Sequence, residues 1–268
     1  MRRSIATLAS GVLCATMVAA PSVAAASATV IHAPRVVDPG GKGGHGHGGG
    51  GGGGSGFGWA SSNWSGYAVT GSTGSYASVT GQWTVPTVQP SSGSTYSSSW
   101  IGIDGFNNSS LIQTGTEQDY YAGTAHYYAW WEILPAAETP ITTMTITPGD
   151  KMSATIAQGS SGTWTITIAD STTGGTFTTA QAYSGPGSSA EWIEEAPTIG
   201  GHIATLAHYG QTTFDPGTVN NASPSLVTSD GGVMIQHRSQ VSTPSLPDSD
   251  VDGFNIAYGS TSPSPPSS

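Results

Sequence analysis

The chain has 268 residues, 39 of them glycine, with only 8 % charged residues, one cysteine and a formal net charge of −10. That length fits one large β domain or two small ones, and the low charge with abundant Gly, Ser and Thr disfavours long helices. The acidic balance excludes nucleic acid and anionic membranes as natural partners, and a single cysteine excludes an internal disulfide or a Cys-based metal site.

Residues 1–26 have the form of a secretory signal peptide. Arg2 and Arg3 form a basic start, Ile5 to Ala20 is apolar, and Ala24, Ala25, Ala26 and Ala28 offer small-residue cleavage sites. Cys14 lies inside this leader, so the mature protein is expected to be thiol-free. Residues 27–57 are expected to be a disordered Gly-rich prosegment or linker, because poly-Gly loses too much entropy on ordering to fold alone. Residues 58–259 form the expected domain, and the Ser/Pro-rich residues 260–268 a disordered tail. From Phe57 onward fifteen carboxylates face only two basic side chains, Lys151 and Arg238. In acid most of those carboxylates are protonated and few cations remain to repel one another.

Within the domain the hydrophobic period is two. Val79, Trp83 and Val85 alternate with Thr80, Gln82 and Thr84. Met144 and Ile146 alternate with Thr143, Thr145 and Thr147, and Pro148-Gly149-Asp150 turns the chain into Met152, Ala154 and Ile156. Gly159 to Gly162 turns it again into Trp164, Ile166 and Ile168. This pattern predicts half-buried antiparallel strands and an all-β sandwich of two sheets, with no internal repeat.

Several chemistries lack their motifs. There is no His-Glu-x-x-His, no Gly-x-Ser-x-Gly and no Asp-Thr-Gly or Asp-Ser-Gly. No cluster with metal-ligand spacing is read in the domain, so neither metal nor cofactor is expected. Four strands carry polar residues on the face opposite the core. Ile101 and Ile103 point inward, leaving Trp100 and Asp104 outside. Ile112 points inward and Gln113 outward. Trp131 and Ile133 oppose Trp130 and Glu132. Glu191 and Glu195 share a face, with Glu194 on the other. A sheet face bearing Trp, Asp, Gln and Glu suits a substrate groove. A solvated face, its tryptophans covering polar stems, is the plainer alternative.

In these blocks the chain resembles the glutamic peptidases, or eqolisins. The likeness runs from Ser62-Asn63-Trp64-Ser65-Gly66-Tyr67 to about Tyr258. It is carried by Trp100-Ile101-Gly102-Ile103-Asp104-Gly105, Leu111-Ile112-Gln113-Thr114-Gly115, Ala129-Trp130-Trp131-Glu132 and Ala190-Glu191-Trp192-Ile193-Glu194-Glu195. The resemblance implies a concanavalin-like jelly roll of two bent antiparallel sheets. It implies Gln113 and Glu195 as the catalytic pair, with Trp64, Trp100, Asp104 and Glu132 at substrate-binding positions. It further implies a secreted acid endopeptidase acting on polypeptides, insensitive to pepstatin, away from membranes once the signal is removed, and monomeric. In such chemistry Glu195 would move protons and Gln113 would stabilise the oxyanion. Glu194, on the core side beside it, would take that place if the strand slipped by one residue. A carbohydrate-binding or glycoside-hydrolysing sandwich, or an inactive surface module, would share the architecture; Gln113 discriminates, because a glycosidase would want two acids facing each other across the groove.

Overall fold

The computed structural model describes residues 29–38 and 56–268. The signal peptide with Cys14 and most of the Gly-rich stretch lie outside the described residues. The strands in chain order are β1 (Val30–Ile31), β2 (Trp59–Ser61), β3 (Trp64–Thr70), β4 (Ser78–Thr84), β5 (Ser98–Ile103), β6 (Ile112–Tyr121), β7 (Thr124–Ile133) and β8 (Thr139–Pro140). There follow β9 (Lys151–Gln158), β10 (Thr163–Asp170), β11 (Gly175–Ala182), β12 (Ser189–Glu195), β13 (Thr198–Ile199), β14 (His202–Ile203), β15 (Gln211–Val219), β16 (Gly231–Gln236), β17 (Ser239–Pro244) and β18 (Phe254–Tyr258). A single turn of 3-10 helix spans Thr228–Asp230.

Two antiparallel layers result. One carries β3-β12-β5-β6-β7-β8 and the other β11-β10-β9-β4-β15-β18, with β17 and β16 joining them along one side. Only β2 runs parallel to its neighbour, β16. The layers pack β4 and β9 against β5, β10 and β9 against β6, and β4 and β15 against β12. Between them lie Val79, Trp83, Ile156, Ile166, Ile168 and Phe214 from one layer and Tyr67, Ile101, Ile103, Ile112 and Trp192 from the other. Burying each such side chain fully contributes roughly 1.5–3 kcal/mol. Trp192 is closely fitted. Its indole Nε1 donates to Thr80 O at 2.8 Å. Facing it are Gly81 and Gly217, where a Cβ would stand 2.9 and 2.7 Å from the indole.

The expected strands around Val79, Ile101, Ile112, Trp131, Met152, Ile166 and Ile193 are all present. Three differences stand out. Thr143–Thr147 keeps its alternation, with Met144 and Ile146 buried and the threonines exposed, yet forms no strand. Pro140 and Pro148 bracket it, and its turn closes on Asp150, whose carboxylate accepts from the Thr147 N–H at 2.7 Å. Residues 29–38, expected to be disordered, lie ordered against the domain, with β1 paired to β13. They precede the glycines and hold apolar pairs, Val30-Ile31, Ala33-Pro34 and Val36-Val37, that poly-Gly lacks. In the Ser/Pro tail, Ser262 donates to Pro244 O and Ser264 O accepts from Asn255.

Candidate active site

Gln113 and Glu195 stand on β6 and β12, the two neighbours of β5. Register places Gln113 opposite Gly102 of β5 and Glu195 opposite Ser98. Across β6–β7, Gln113 lies opposite Glu132. The side chains of these strands divide as their alternation requires. Ile101, Ile103, Ile112 and Trp192 enter the inter-layer core. Trp64, Trp100, Trp130, Leu111 and Ile193 form a second cluster on the opposite face. That face is the groove.

An extended stretch of the chain itself, residues 29–38, crosses it. Thr29 O and Val30 O accept from the Gly200 and Glu138 N–H groups, each at 3.3 Å. The His32 N–H donates to Glu132 Oε2 at 3.0 Å. His32 O accepts from Gln113 Nε2 at 2.8 Å. Ala33 O accepts from Trp64 Nε1 at 3.0 Å, and Pro34 O from Asn63 Nδ2 at 3.2 Å. Arg35 N–H donates to Gly105 O, and Val36 N–H to Asn63 Oδ1. Cavities of about 650 and 500 Å³ flank the ends of this stretch, one beside Asp38 and the other beside Thr29 and Val30.

The His32 ring is fully buried. It stacks on Trp130 with centroids 3.6 Å apart and 4° between planes. Its Nδ1 lies 3.1 Å from Glu195 Oε2, and its Nε2 lies 3.0 Å from Glu138 Oε2 and 3.2 Å from Glu117 Oε1. Burial works against the charged ring, but its hydrogen bonds to Glu138 and Glu195 and the surrounding negative charge outweigh it, raising the pKa to about 10. Ligand atoms of His32, Glu117 and Glu138 converge within 4.8 Å, a spacing a metal ion could use. The imidazole meets both carboxylates directly, which accounts for the convergence without one.

Glu195 is held on three sides. Trp100 Nε1 donates to its Oε2 at 2.8 Å, and Asn63 Nδ2 to its Oε1 at 3.4 Å, beside the His32 ring. Burial raises its pKa, while the His32 contacts and the tryptophan donors pull it back. Glu132 is pushed up to about 8, chiefly by burial. Its Oε2 also accepts from Gln113 Nε2 at 2.7 Å. Gln113 Oε1 and Glu132 Oε1 are buried with no protein partner among the described residues. Glu117 and Asp119 are a buried pair, both raised by burial, Asp119 to about 7.

Glu194 faces the core side, in the register expected. It accepts from Ser99 Oγ at 2.6 Å and Gln118 Nε2 at 3.2 Å, and burial pushes it up to about 8. A neutral, hydrogen-bonded acid can occupy such a position where an ionised one could not. Asp104 differs from the other expected groove residues. It ends β5 in a left-handed conformation, φ 73°. Its carboxylate accepts from the Tyr183 hydroxyl at 2.7 Å and the Gly187 and Ser188 N–H groups at 2.8 and 2.9 Å. None of its hydrogen bonds reaches Gln113, Glu132 or Glu195; it ties down the loop before β12. Four residues round the pair were not anticipated from sequence: His32, Asn63, Glu117 and Glu138. Glu117 was within reach of the period-two rule, two steps beyond Gly115 on the face of Gln113. Glu138 lies between β7 and β8, where no period points to it.

A two-layer β-sandwich with a glutamine and carboxylates gathered round an extended peptide has the make-up of a glutamic-type endopeptidase. The Peptidase A4 family model matches residues 62–257, and the chain belongs to that family. It is 30 % identical over 198 residues to Aspergillopepsin-2 of Aspergillus niger, covering 65 % of this chain and 70 % of that one. The solved aspergilloglutamic peptidase from Aspergillus niger superposes with a TM-score of 0.52 at 27 % identity, covering 61 % of this chain and 99 % of that one. Scytalido-glutamic peptidase, solved with a transition state analog inhibitor, superposes with a TM-score of 0.62 at 23 % identity, covering 74 % and 98 %. The chain is a glutamic-type endopeptidase that hydrolyses peptide bonds in polypeptides.

Proposed function

We propose that Gln113 and Glu195 are the catalytic pair, with Trp64, Trp100 and Glu132 binding the substrate backbone and its surroundings. One observation carries this reading. The His32 carbonyl oxygen, in a peptide lying across the groove, accepts from Gln113 Nε2 at 2.8 Å, while the same residue's ring meets Glu195. A substrate carbonyl in that place would have its oxygen on a neutral donor that works at any pH. Glu195 takes a proton from water, and the hydroxide adds to the carbonyl carbon. Gln113 N–H stabilises the negative oxygen, and its free Oε1 is placed to accept from the water. Glu195 then gives the proton to the amide nitrogen, and the C–N bond breaks to leave a carboxylic acid and an amine. In weak acid Glu132 and Glu194 are neutral, which removes like charge near Glu195 and favours its ionised form. Asp104 serves the site through the loop it holds.

Residues 29–38 belong to the prosegment expected within 27–57. Lying in the groove, with His32 on the proposed base, they support reading it as an inhibitory segment removed on activation. Secretion follows from the signal peptide read in residues 1–26, and among the described residues no helix is long and apolar enough to cross a membrane. Nothing in this chemistry calls for a second subunit, and the enzyme is read as a monomer.

Digestion of a denatured protein across the pH range, with and without pepstatin, tests the reading. Hydrolysis should peak well below pH 6 and persist in pepstatin. A maximum near pH 8 would point to histidine-based chemistry instead. N-terminal sequencing of the active form should find a start beyond Asp38; full activity with residues 29–38 still attached would count against the prosegment.

A further inference from the structure

Away from the groove, a second group of acids converges. The loop between β17 and β18 reads Asp248-Ser249-Asp250-Val251-Asp252-Gly253, with acidic side chains at every second position and a glycine after the third. Asp215 meets it from β15. One carboxylate oxygen from each of Asp215, Asp248 and Asp252 lies within 4.8 Å of the others. Asp250 is close enough to act electrostatically on all three. None of the four has a salt-bridge partner among the described residues.

Two of these oxygens are buried and accept from no N–H or hydroxyl. Asp248 is 6 % exposed. Its Oδ1 accepts from the Asp252 and Gly253 N–H groups, both at 3.2 Å, while its Oδ2 accepts from no N–H or hydroxyl; the Asp250 carboxyl is near enough to hydrogen-bond to the group. Asp252 Oδ1 likewise accepts from none. The glycine permits the convergence: a Cβ on Gly253 would stand 2.5 Å from Asp248 Oδ2 and 2.8 Å from Asp215 Cγ. A buried carboxylate oxygen without a donor is costly, and three carboxylates in one place multiply that cost unless the acids share protons or, near neutrality, a cation sits among them.

We propose that Asp215, Asp248 and Asp252 bind a hard divalent cation of calcium size. The donors are all carboxylate oxygens, with no imidazole or thiolate to draw zinc or copper. Two of the three acids come from one loop, whose adaptable spacing suits calcium's long bonds and high ligand number better than the strict octahedron of magnesium. The proposal departs from the expectation of a metal-free domain. It is independent of the catalytic proposal, since β15 and the 248–253 loop hold none of the groove residues.

The test uses the full chain, stripped with chelator, at pH 7. Calcium chloride titrated calorimetrically should bind one equivalent at this site. Calcium at about a hundred times its dissociation constant should raise the melting temperature by on the order of 5 °C. Magnesium should do so less. Asp248→Asn and Asp252→Asn, near-isosteric changes that keep the loop's shape, should each weaken binding at least about tenfold. No heat and no melting shift up to millimolar calcium in the unsubstituted chain would overturn the proposal. So would a shift that survives unchanged in the double variant, which would mark diffuse binding to an acidic surface.

Discussion

β10 and β12 are strands of similar length with opposite economies of burial. Along β10, Trp164, Ile166, Ile168 and Asp170 are buried while Thr163 is exposed and Thr165, Thr167 and Ala169 are partly so. Along β12 every residue is buried, and Glu191, Glu194 and Glu195 are among them. The first strand faces water on one side, so hydrophobic alternation decides its residues up to Asp170, which accepts from Thr172 and Thr173 in the following turn. The second has the core on one face and an occupied groove on the other. There Glu194 takes donors from Ser99 and Gln118 and Glu195 from Trp100 and Asn63, while Glu191 is without a donor at either oxygen among the described residues and burial holds its pKa well above the ordinary value. Stability rests on the first kind of strand and function on the second, and substitutions should separate the two.

Second only to loss of Glu195, the largest effect should come from Gln113→Ala. Losing the oxyanion donor should lower kcat by about 10²–10³, or ~3–4 kcal/mol of barrier. Melting should change little, because the side chain faces the groove. Ile166→Ala on β10 should do the reverse. It deletes a fully buried side chain, which costs about 2–5 kcal/mol of stability. Denaturant unfolding should show that loss while kcat of the folded enzyme is kept; a kcat loss as large as that of Gln113→Ala would dissolve the distinction.

The groove layer should also make stability depend on pH. Glu132 and Glu194 have folded pKa values of about 8 against an ordinary 4.5. The folded state therefore binds protons more tightly than the unfolded one. Their contribution is complete below about pH 4.5 and is lost as pH rises through about 8. Melting temperature should be higher at pH 4 than at pH 8, and Glu194→Gln should flatten the slope. A melting temperature lower at pH 4 than at pH 8 would contradict the burial of neutral acids. Thr165→Ala, on the outward side of β10, should move stability by no more than ~0.5 kcal/mol.

The same contrast explains what the sequence disclosed. One-sided strands announce themselves by alternation, so β4, β9 and β10 and the core positions of β5, β6 and β7 were legible. Glu195 was placed on its face by counting in twos from Glu191, and the structure keeps that register. Thr143–Thr147 misled, because alternation records burial and says nothing of whether a neighbouring strand is there to bond. Asp104 misled because a residue at a strand's end can turn out of the period, as its positive φ shows. His32 was hidden by the glycines that follow it: composition over 27–57 averaged the mixed sequence of residues 29–38 with the long glycine run after it. Asp248, Asp250 and Asp252 were visible as residues, but their convergence with Asp215 depends on how β15 folds across the layer.

The most direct test sets two adjacent residues of β12 against each other. Glu194→Gln and Glu195→Gln are assayed side by side for peptide hydrolysis in acid, each checked for folding by its melting curve. The groove assignment predicts that Glu195→Gln folds and loses about 10²–10⁴ in rate, while Glu194→Gln keeps most of its activity. A dead Glu194→Gln beside a working Glu195→Gln, both folded, would contradict it.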